Sequence, residues 1–404
     1  MSMPGSVPLE FFLFACVLGG VALSQKHGLW VALCGTLVIV TYKVGWSPFA
    51  EGPGLTGLAA HLGHEWVTLA NLLMLLLAFA LVARTFEASA APKALARWLP
   101  AGTNGCFVLL LLIFAMSAFL DNIAAALIGG AIAHSVFRKV HPGYLVAIVA
   151  AANGGGSGSA IGDTTTTMMW IAGIRPGQLA GAYVGSAAAL LVFGFAAARQ
   201  QQALSPIAVD QGERTLVDRA RLGIVAFTLT AGVAVNLVVN SRFADVSLAF
   251  PFLGTALWAA IGLGALWRKP EWGALRGAMQ SAQLLLLLVL CASMMPIDAL
   301  PSPSWQAVFG LGLLSAVFDN IPLTALAIRQ GGYDWGCLAY AVGFGGSMMW
   351  FGSSAGVAIC GMYPQARNAR LWLRHGWHVG LAYVVGFAFL LGTIGWHVGT
   401  RGLP

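Results

Sequence analysis

Apolar residues run through this chain in long blocks, most of them of membrane-spanning length. A helix that crosses the hydrocarbon of a bilayer needs about 20 mostly apolar residues. Blocks of that kind lie at 8–25, 29–46, 66–84, 104–137, 143–174, 178–198, 222–240, 246–267, 278–297, 305–329, 335–362 and 377–398. They are continuous, unlike the short alternating segments of an outer-membrane barrel. The pattern predicts an all-α polytopic membrane protein.

Polar stretches interrupt some of these blocks. The blocks 104–137, 143–174 and 305–329 are too long or too interrupted for one plain span. Inside the second of them lie "NGGGSG" at 153–158 and "AIGDTTTTMMW" at 160–170. Non-helical backbone at membrane depth must be buried in protein or line a cavity. The interruptions therefore predict a site within the membrane.

Two polar stretches recur, in the same order, in the second half of the chain. The segment "MSAFLDNIAAAL" at 116–127 matches "LSAVFDNIPLTA" at 314–325, which aligns their Asp-Asn pairs. The segment "GGSGSAIGDT" at 155–164 matches "GGSMMWFGSS" at 345–354. Repeats of this kind indicate a duplicated architecture.

The basic residues give the orientation. We treat 104–137 and 305–329 as re-entrant hairpins that return to the face they enter, and 143–174 and 335–362 as single broken helices. One face then collects Lys26, Arg84, Lys93, Arg97, Arg138, Lys139, Arg199, Arg214, Arg219, Arg221, Arg268, Lys269, Arg276, Arg367, Arg370 and Arg374. The other face keeps Lys43, Arg175, Arg242, Arg329 and Arg401. Because basic residues concentrate in the cytoplasm, the first face is predicted cytoplasmic and both termini are predicted outside.

Each half crosses the membrane an odd number of times, so the second half begins on the opposite face from the first. The two halves are therefore inverted relative to each other. The prediction is two inverted repeats of about five transmembrane helices, each with a re-entrant hairpin and a broken helix, in a cell (inner) membrane. The predicted boundaries are a first repeat at 1–198, a cytoplasmic linker at 199–221 and a second repeat at 222–404. Such repeats are typical of secondary transporters, whose site lies where broken helices meet near the midplane.

The amino-acid composition indicates which kinds of partner the protein binds. Only 9% of the 404 residues are charged, and the mean hydropathy is +0.81. The net charge of +7 is a topology signal in a membrane protein, so we expect a lipid bilayer and a transported ion as partners, and no nucleic acid. The six cysteines lack the paired spacings of a metal site. We expect no cofactor, and a homodimer is a candidate assembly.

Three aspartates lie inside apolar blocks, where an ionisable group is costly and marks a functional site by default. They are Asp121, Asp163 and Asp319. The first and third are each followed by an asparagine, Asn122 and Asn320, at equivalent repeat positions. These five residues are the principal candidates for cation and proton binding.

Hydroxyl groups extend the candidate set. Four successive threonines cannot all face one site on a 3.6-residue period, and Thr164 and Thr165 are the preferred members. Ser353 and Ser354 occupy the corresponding positions of the second repeat. Accessory candidates are Ser157, Ser347 and Thr324.

The candidate site suits a cation. No Lys, Arg or His lies within 153–170 or 345–357, and a buried carboxylate repels an anion. Hard cations such as sodium take carboxylate, hydroxyl and carbonyl oxygens as ligands. Because a buried carboxyl group holds a proton more readily than one in water, a proton and a sodium ion can compete for the same site. This competition predicts a cation/proton antiporter and not an enzyme, with Asp163 as the principal shared ligand.

Four segments carry a family resemblance. "SAFLDNIAAAL", "AANGGGSGSAIGDTTTTMMWI", "SAVFDNIPLTALAI" and "GGSMMWFGSSAGVAI" resemble the ion transporter superfamily, which includes citrate transporters, and most closely its NhaD-type sodium/proton antiporters. The resemblance runs from about residue 66 to 398. It implies two hairpin tips, with Asp121, Asn122, Asp319 and Asn320, facing two helix breaks, with Asp163, Thr164, Ser353 and Ser354. The chain departs from the NhaD-type pattern in "IAAALIGG" after the first Asp-Asn, where threonines are common.

A sodium- or proton-coupled symporter of citrate or another small anion is the first alternative. The superfamily's citrate and dicarboxylate carriers resemble this chain, although they have Ser-Asn-Thr at the tips where this chain has Asp-Asn-Ile twice. In this alternative the cations bind at the helix breaks and the anion binds at the tips.

An intramembrane protease is the second alternative. Asp121 and Asp163 could share a proton as a catalytic pair, or Ser157 could act as a nucleophile. The aspartyl form requires a glycine where Ala160 stands, and the serine form requires a well-placed histidine in a neighbouring span. Neither form accounts for the duplication.

Overall fold

The computed structural model describes residues 8–24, 27–91, 94, 99–207, 216–242, 249–297 and 300–399. Part of the predicted linker, 208–215, lies outside the described residues. So do five of the basic residues that were used for the orientation, Lys26, Lys93, Arg97, Arg214 and Arg401.

The described residues fold almost entirely into α-helices. In chain order these are α1 (Leu9–Leu23), α2 (Gly28–Gly45), α3 (Gly54–Ala88), α4 (Gly102–Ser117), α5 (Asn122–Val136), α6 (Pro142–Gly156), α7 (Thr164–Ile171), α8 (Pro176–Leu179), α9 (Ala182–Leu204), α10 (Arg219–Arg242), α11 (Phe252–Gly264), α12 (Ala274–Ser293), α13 (Trp305–Ser315), α14 (Asn320–Gln330), α15 (Trp335–Gly345), α16 (Ser354–Met362) and α17 (Ala369–Thr393), with a 3₁₀ turn at Pro364–Ala366. Five helical segments of the described chain are long and apolar enough to cross a membrane: α2, α3, α8 with α9, α12 and α17. The helical, polytopic membrane class predicted from the sequence is confirmed.

Helix α3 is longer than the apolar block at 66–84 from which it was predicted. It begins at Gly54 and contains 35 residues. Near its start lie His61, His64 and Glu65, which lower the local hydropathy. The start of the helix therefore could not be predicted from hydropathy. The helix persists there because His61 is buried against polar partners from a loop and from another helix.

Each of the four interrupted blocks consists of two helices joined by a short non-helical segment. The hairpin blocks contain α4 with α5 and α13 with α14, and the broken-helix blocks contain α6 with α7 and α15 with α16. A side-chain oxygen just before the second helix accepts a backbone N–H of its first turn, which is the preferred N-cap arrangement. The four capping residues are Asp121, Asp163, Asp319 and Ser353. Local capping chemistry thus places candidate residues where the helices restart.

Helices α6 and α15 form the centre of the molecule. Every residue of α15 is buried, and so is every residue of α6 after Pro142. Helices that are apolar on all sides belong in a protein core. The two helices pack against α4, α13, α9 and α17, and their broken ends therefore lie inside protein and not in lipid.

Because the backbone of another helix approaches Gly155 closely, a larger residue at this position should destabilise the protein. A Cβ atom there would overlap the carbonyl oxygen of Phe114 in α4. We expect Gly155→Ala to lower the free energy of unfolding by about 1–3 kcal/mol, the usual cost of overpacking, and to lower the thermal midpoint of the detergent-solubilised protein. Gly262→Ala, in α11, is the matched control because nothing lies within 4 Å of a Cβ there. Equal midpoints for the two variants would contradict the close packing.

Candidate functional site

The breaks of α6/α7 and α15/α16 meet each other and the start of α5. Asn122, the first residue of α5, donates from Nδ2 to Asp163 Oδ1 at 3.0 Å and to Asn153 Oδ1 at 3.0 Å. Asn153, in the last turn of α6, donates in turn to the hydroxyls of Ser347 and Ser353, each at 3.0 Å. One chain of hydrogen bonds therefore joins both helix breaks and one hairpin.

Asp163 is the best-connected carboxylate of this group. It is 2% exposed. Its Oδ1 accepts from Asn122, and its Oδ2 accepts from the Thr165 hydroxyl at 2.6 Å. As N-cap of α7 it also stands at the positive end of that helix, which favours a negative charge. The surroundings can therefore hold an ionised carboxylate in the absence of a basic partner.

The threonines after Asp163 divide into two kinds. Thr166 and Thr167 both donate to the Asp163 carbonyl oxygen at 2.9 Å, so their hydroxyls serve the helix start. Thr165 donates to the carboxylate itself. Thr164 is buried at the first position of α7. The threonines thus differ in their hydrogen bonds: some hydroxyls bond to the backbone of the helix start, and one bonds to the site carboxylate. This is expected because four successive helical residues point in different directions.

Asp121 and Asp319 occupy matching positions; Asp121 is 8% exposed, and Asp319 is partly exposed. Asp121 Oδ2 accepts from the amide of Ile123 at 3.2 Å, and Asp319 Oδ1 accepts from the amide of Ile321 at 3.0 Å. Both lie close enough to Asp163 for their charges to interact with it. Among the described residues, no group of three or more His, Cys, Asp or Glu is arranged to hold a metal ion.

Two buried polar atoms of this region have no hydrogen-bond partner within the part of the chain that the structure describes. They are Asp121 Oδ1 and Asn320 Nδ2. Burying a polar atom without a partner costs about 1–3 kcal/mol, and native proteins rarely leave such atoms unused. Both atoms belong to the Asp-Asn pairs at the hairpin tips. A bound ion or water there would satisfy them.

The remaining candidate hydroxyls are spread around the breaks. Ser157 bonds to the Gly154 carbonyl and to Ser186, each at 2.8 Å, and Thr324 bonds back to the Asn320 carbonyl at 2.8 Å. Ser354 lines a cavity together with Asp319. The structure therefore brings Asp163, Asn122, Thr165, Ser347 and Ser353 into one network through Asn153, and leaves Ser157, Thr324, Ser354, Asp319 and Asn320 beside it.

Asn153 was missed by the sequence analysis. The residue opens the "NGGGSG" stretch, which was interpreted only as an interruption of the apolar block 143–174. Its partners Ser347 and Ser353 lie 194 and 200 residues away along the chain. A buried asparagine among apolar residues was the available signal, because such an amide needs partners for both its donor and its acceptor.

The two halves pack in the same way at the breaks but differ in the residues that face the site. Ser117 donates to the Ala152 carbonyl at 2.5 Å, and Ser315 donates to the Val342 carbonyl at 2.7 Å. In each half, the residue after that carbonyl faces the site: Asn153 in the first half and Gly343 in the second. The Asn122 amide donates to Asn153 and Asp163, and the second half has Gly343 and Ser353 at these positions. The Asn320 amide therefore lacks both of these acceptors.

Two cavities reach the hairpin tips. One, of about 430 Å³, reaches Asp121 and extends to Arg84 and Gly273. The other, of about 230 Å³, reaches Asp319 and Ser354. Three residues line both cavities: Ile123, Ser281 and Leu285. The cavity at Asp121 therefore extends towards the end of the molecule that holds Arg84 and Gly273.

The charged side chains at the site are all acidic. Ion pairs within the described residues involve Glu51, Glu65, Glu87, Asp218 and Glu271. The carboxylates of Asp121, Asp163 and Asp319 take part in none of these pairs. A group of buried carboxylates with amide and hydroxyl neighbours suits a cation better than an anion.

Comparison with known proteins gives two matches. The sequence model of the citrate transporter family matches residues 17–345. Sodium/proton antiporter 1 of Arabidopsis thaliana is 28% identical to this chain over 297 residues, which cover 62% of this chain and 49% of that protein. The chain therefore spans about half the length of this relative.

Proposed function

This chain belongs to the citrate transporter family, and from that premise we propose that it is a secondary active transporter that exchanges a monovalent cation, with sodium as the expected ion, for protons. Similarity to a sodium/proton antiporter supports exchange. The proposal rests on the buried Asp163 carboxylate, which is held by an amide and a hydroxyl and has no basic partner among the described residues.

The proposed architecture is a pair of inverted repeats. Its support is the matched packing of Ser117 and Ser315 and the matched capping by Asp121 and Asp319. The distribution of basic residues supports a cytoplasmic position for Arg84 and an external one for Arg329. Because the cavity at Asp121 extends towards Arg84, we propose that this conformation faces the cytoplasm of a cell whose inner membrane holds the protein.

In the proposed exchange, Asp163 alternates between a proton and a cation. The ionised carboxylate would bind the cation together with oxygens from Thr165 and Asn122. In this structure Thr165 contacts the carboxylate through its hydroxyl, and Asn122 contacts it through the Nδ2 donor. A proton arriving on Asp163 removes the negative charge and releases the cation. Asp121 and Asp319 assist by their charges, and Asn153 with Ser347 and Ser353 positions the two breaks. The homodimer stays a prediction.

The test is an exchange assay in reconstituted vesicles that hold an imposed pH gradient, with a quenched dye as readout. We expect sodium or another monovalent cation, added outside, to dissipate the gradient and restore the fluorescence. Potassium, lithium and sodium are compared at equal concentration, and vesicles without protein report leakage. An unchanged gradient with every cation would refute the exchange.

Anion symport is the second candidate function. The family model that matches the chain is that of citrate transporters, and the free Asn320 amide is a donor that a carboxylate could use. Uptake of labelled citrate that requires an inward sodium or proton gradient would establish this function. The same vesicles serve for both assays, so that each outcome identifies one function.

A further inference from the structure

A groove on the outer surface of the molecule lies between α10 and α11, at their predicted cytoplasmic ends. Its volume is about 410 Å³. Its apolar walls include Ile224 and Phe227 of α10, Leu263 of α11 and Trp267 just after α11, and the last three of these side chains are exposed. Among the described residues that line the groove, only Arg268 is charged. The groove is therefore an apolar surface with a cation at one end.

A glycine keeps this groove open. Gly223 lines it, and nothing lies within 4 Å of the position that a Cβ atom would take there. The other face of α10 is already used, because Val225 and Thr228 are buried and α10 packs against α3 and α11. The face that carries the groove is thus directed away from the protein core, where the hydrocarbon of the bilayer would contact it.

The acidic residues near the groove are paired with two arginines. Asp218 Oδ2 lies 3.1 Å from Arg268 Nε and 3.6 Å from Arg221 Nε, and Glu271 Oε1 lies 3.7 Å from Arg221 Nη2. Two acidic and two basic side chains form this group, so its net charge is zero.

Two further basic side chains lie beside the groove. Arg219 directly precedes the lining residue Ala220, and Lys269 directly follows the lining residue Arg268. Neither takes part in an ion pair within the part of the chain that the structure describes. This end of the groove therefore has an excess of two positive charges. The exposed Trp267 beside it is typical of a membrane–water interface.

We propose that the groove binds one anionic phospholipid of the predicted cytoplasmic leaflet. An acyl chain would lie along Ile224, Phe227 and Leu263, and the phosphate would lie near Arg219 and Lys269. From Ala220 to Phe227 the wall extends about 10 Å along α10, at 1.5 Å per residue, so it can hold part of an acyl chain. Anionic lipids are attracted to basic residues at the cytoplasmic surface, whereas the net charge of a zwitterionic lipid is zero.

The bound lipid should stabilise helices that support the transport site. The amide of Asp218 donates to the Ser89 carbonyl at the end of α3 at 2.9 Å, and Trp258 Nε1 donates to the Met74 carbonyl in α3 at 3.0 Å. Helix α3 in turn lines the cavity at Asp121. A lipid that joins α10 to α11 therefore strengthens the support of α3. The lipid site itself does not depend on the proposed exchange.

Native mass spectrometry of the detergent-solubilised full chain measures this binding. Phosphatidylglycerol and phosphatidylcholine with identical acyl chains are titrated separately, and the affinity of the tightest site is compared. Each unpaired basic residue should contribute about fivefold to the preference, so we expect phosphatidylglycerol to bind about 25-fold more tightly. Phosphatidylglycerol should also raise the thermal midpoint more than phosphatidylcholine does.

The charge at the end of the groove is tested by Lys269→Gln. We expect this variant to lose about fivefold in affinity for phosphatidylglycerol and to bind phosphatidylcholine as the wild type does. Lys139→Gln is the matched control, because Lys139 is an exposed lysine on the same predicted face, between α5 and α6. It should retain the wild-type affinity for both lipids.

The apolar part of the groove is tested by Gly223→Phe. The new ring would fill the groove without meeting a neighbour at its Cβ, so the tight site should be lost for both lipids. Gly392→Phe, at an exposed position of α17 that also has nothing within 4 Å of a Cβ, should bind lipid as the wild type does. The thermal midpoint without added lipid confirms that each variant is folded.

Four results would overturn the proposal. The wild type could bind the two lipids equally, or Gly223→Phe could keep the tight site. Free glycerol phosphate at equal concentration could displace phosphatidylglycerol, which would mean that the apolar walls contribute nothing. A wild-type dimer that Gly223→Phe dissociates would assign the groove to a second copy of the chain. None of these measurements involves transport, so failure of the lipid site and failure of the exchange function are distinguishable.

Discussion

Asp163→Asn should yield a folded protein that no longer exchanges cations for protons. Asparagine has nearly the same shape as aspartate, and its carbonyl oxygen can still accept from Asn122. The amide that replaces Oδ2 can donate to Thr165, whose hydroxyl rotates to accept. The uncharged side chain can neither attract a cation nor bind a proton. Removing one partner of a buried ionic contact costs about 3–5 kcal/mol, so we expect the exchange rate to fall by about a hundredfold or more.

A matched control for this substitution exists in the same chain. Asp334 is also a capping aspartate, and it accepts from the amide of Cys337 at the start of α15. Its other oxygen accepts from the His397 amide, away from the helix breaks. Asp334→Asn should lower the thermal midpoint, because its amide nitrogen cannot accept from a backbone N–H, and the folded protein should exchange at close to the wild-type rate. The measurement is the vesicle assay together with the thermal midpoint of each purified variant. Wild-type exchange by Asp163→Asn would refute the assigned role.

Residues that act through near neighbours were predictable from the sequence. Asp163 lies just before a run of threonines, so its role as a helix cap and its contact with Thr165 both follow from spacing of two residues. The polar residues at 157–163 interrupt an apolar block, and the helix breaks there because capping offers the backbone an alternative to continuing. The same reasoning applies to Asp121 and Asp319.

Residues that act through distant partners were not predictable. Asn153 gains its importance from Ser347 and Ser353, and His61 gains its importance from Ser293, which is 232 residues away. Nothing local to either residue indicates these partners. The start of α3 was missed for the same reason, since the polarity of His61 is offset only by contacts made in the folded protein.

Asn153→Ala should reduce both the stability and the exchange rate. The substitution removes three hydrogen bonds: one from Asn122 and one each to Ser347 and Ser353. The two serine hydroxyls can rotate towards other acceptors, but the breaks of α6/α7 and α15/α16 lose the side chain that connects them. We expect the free energy of unfolding to fall by about 2–4 kcal/mol, and the exchange rate to fall by at least about tenfold because Asn122 is no longer held against Asp163.

Asn71→Ala separates these two effects. Asn71 is a buried asparagine of α3 whose Oδ1 accepts from the Gly254 amide at 3.0 Å, outside the network of the helix breaks. Its substitution should lower the thermal midpoint while the exchange rate per folded molecule stays at the wild-type level. Exchange and midpoint are measured on the same preparations. If Asn153→Ala lowered the midpoint but exchanged like Asn71→Ala, the asparagine would be a packing residue, and the breaks would keep their relative position without it.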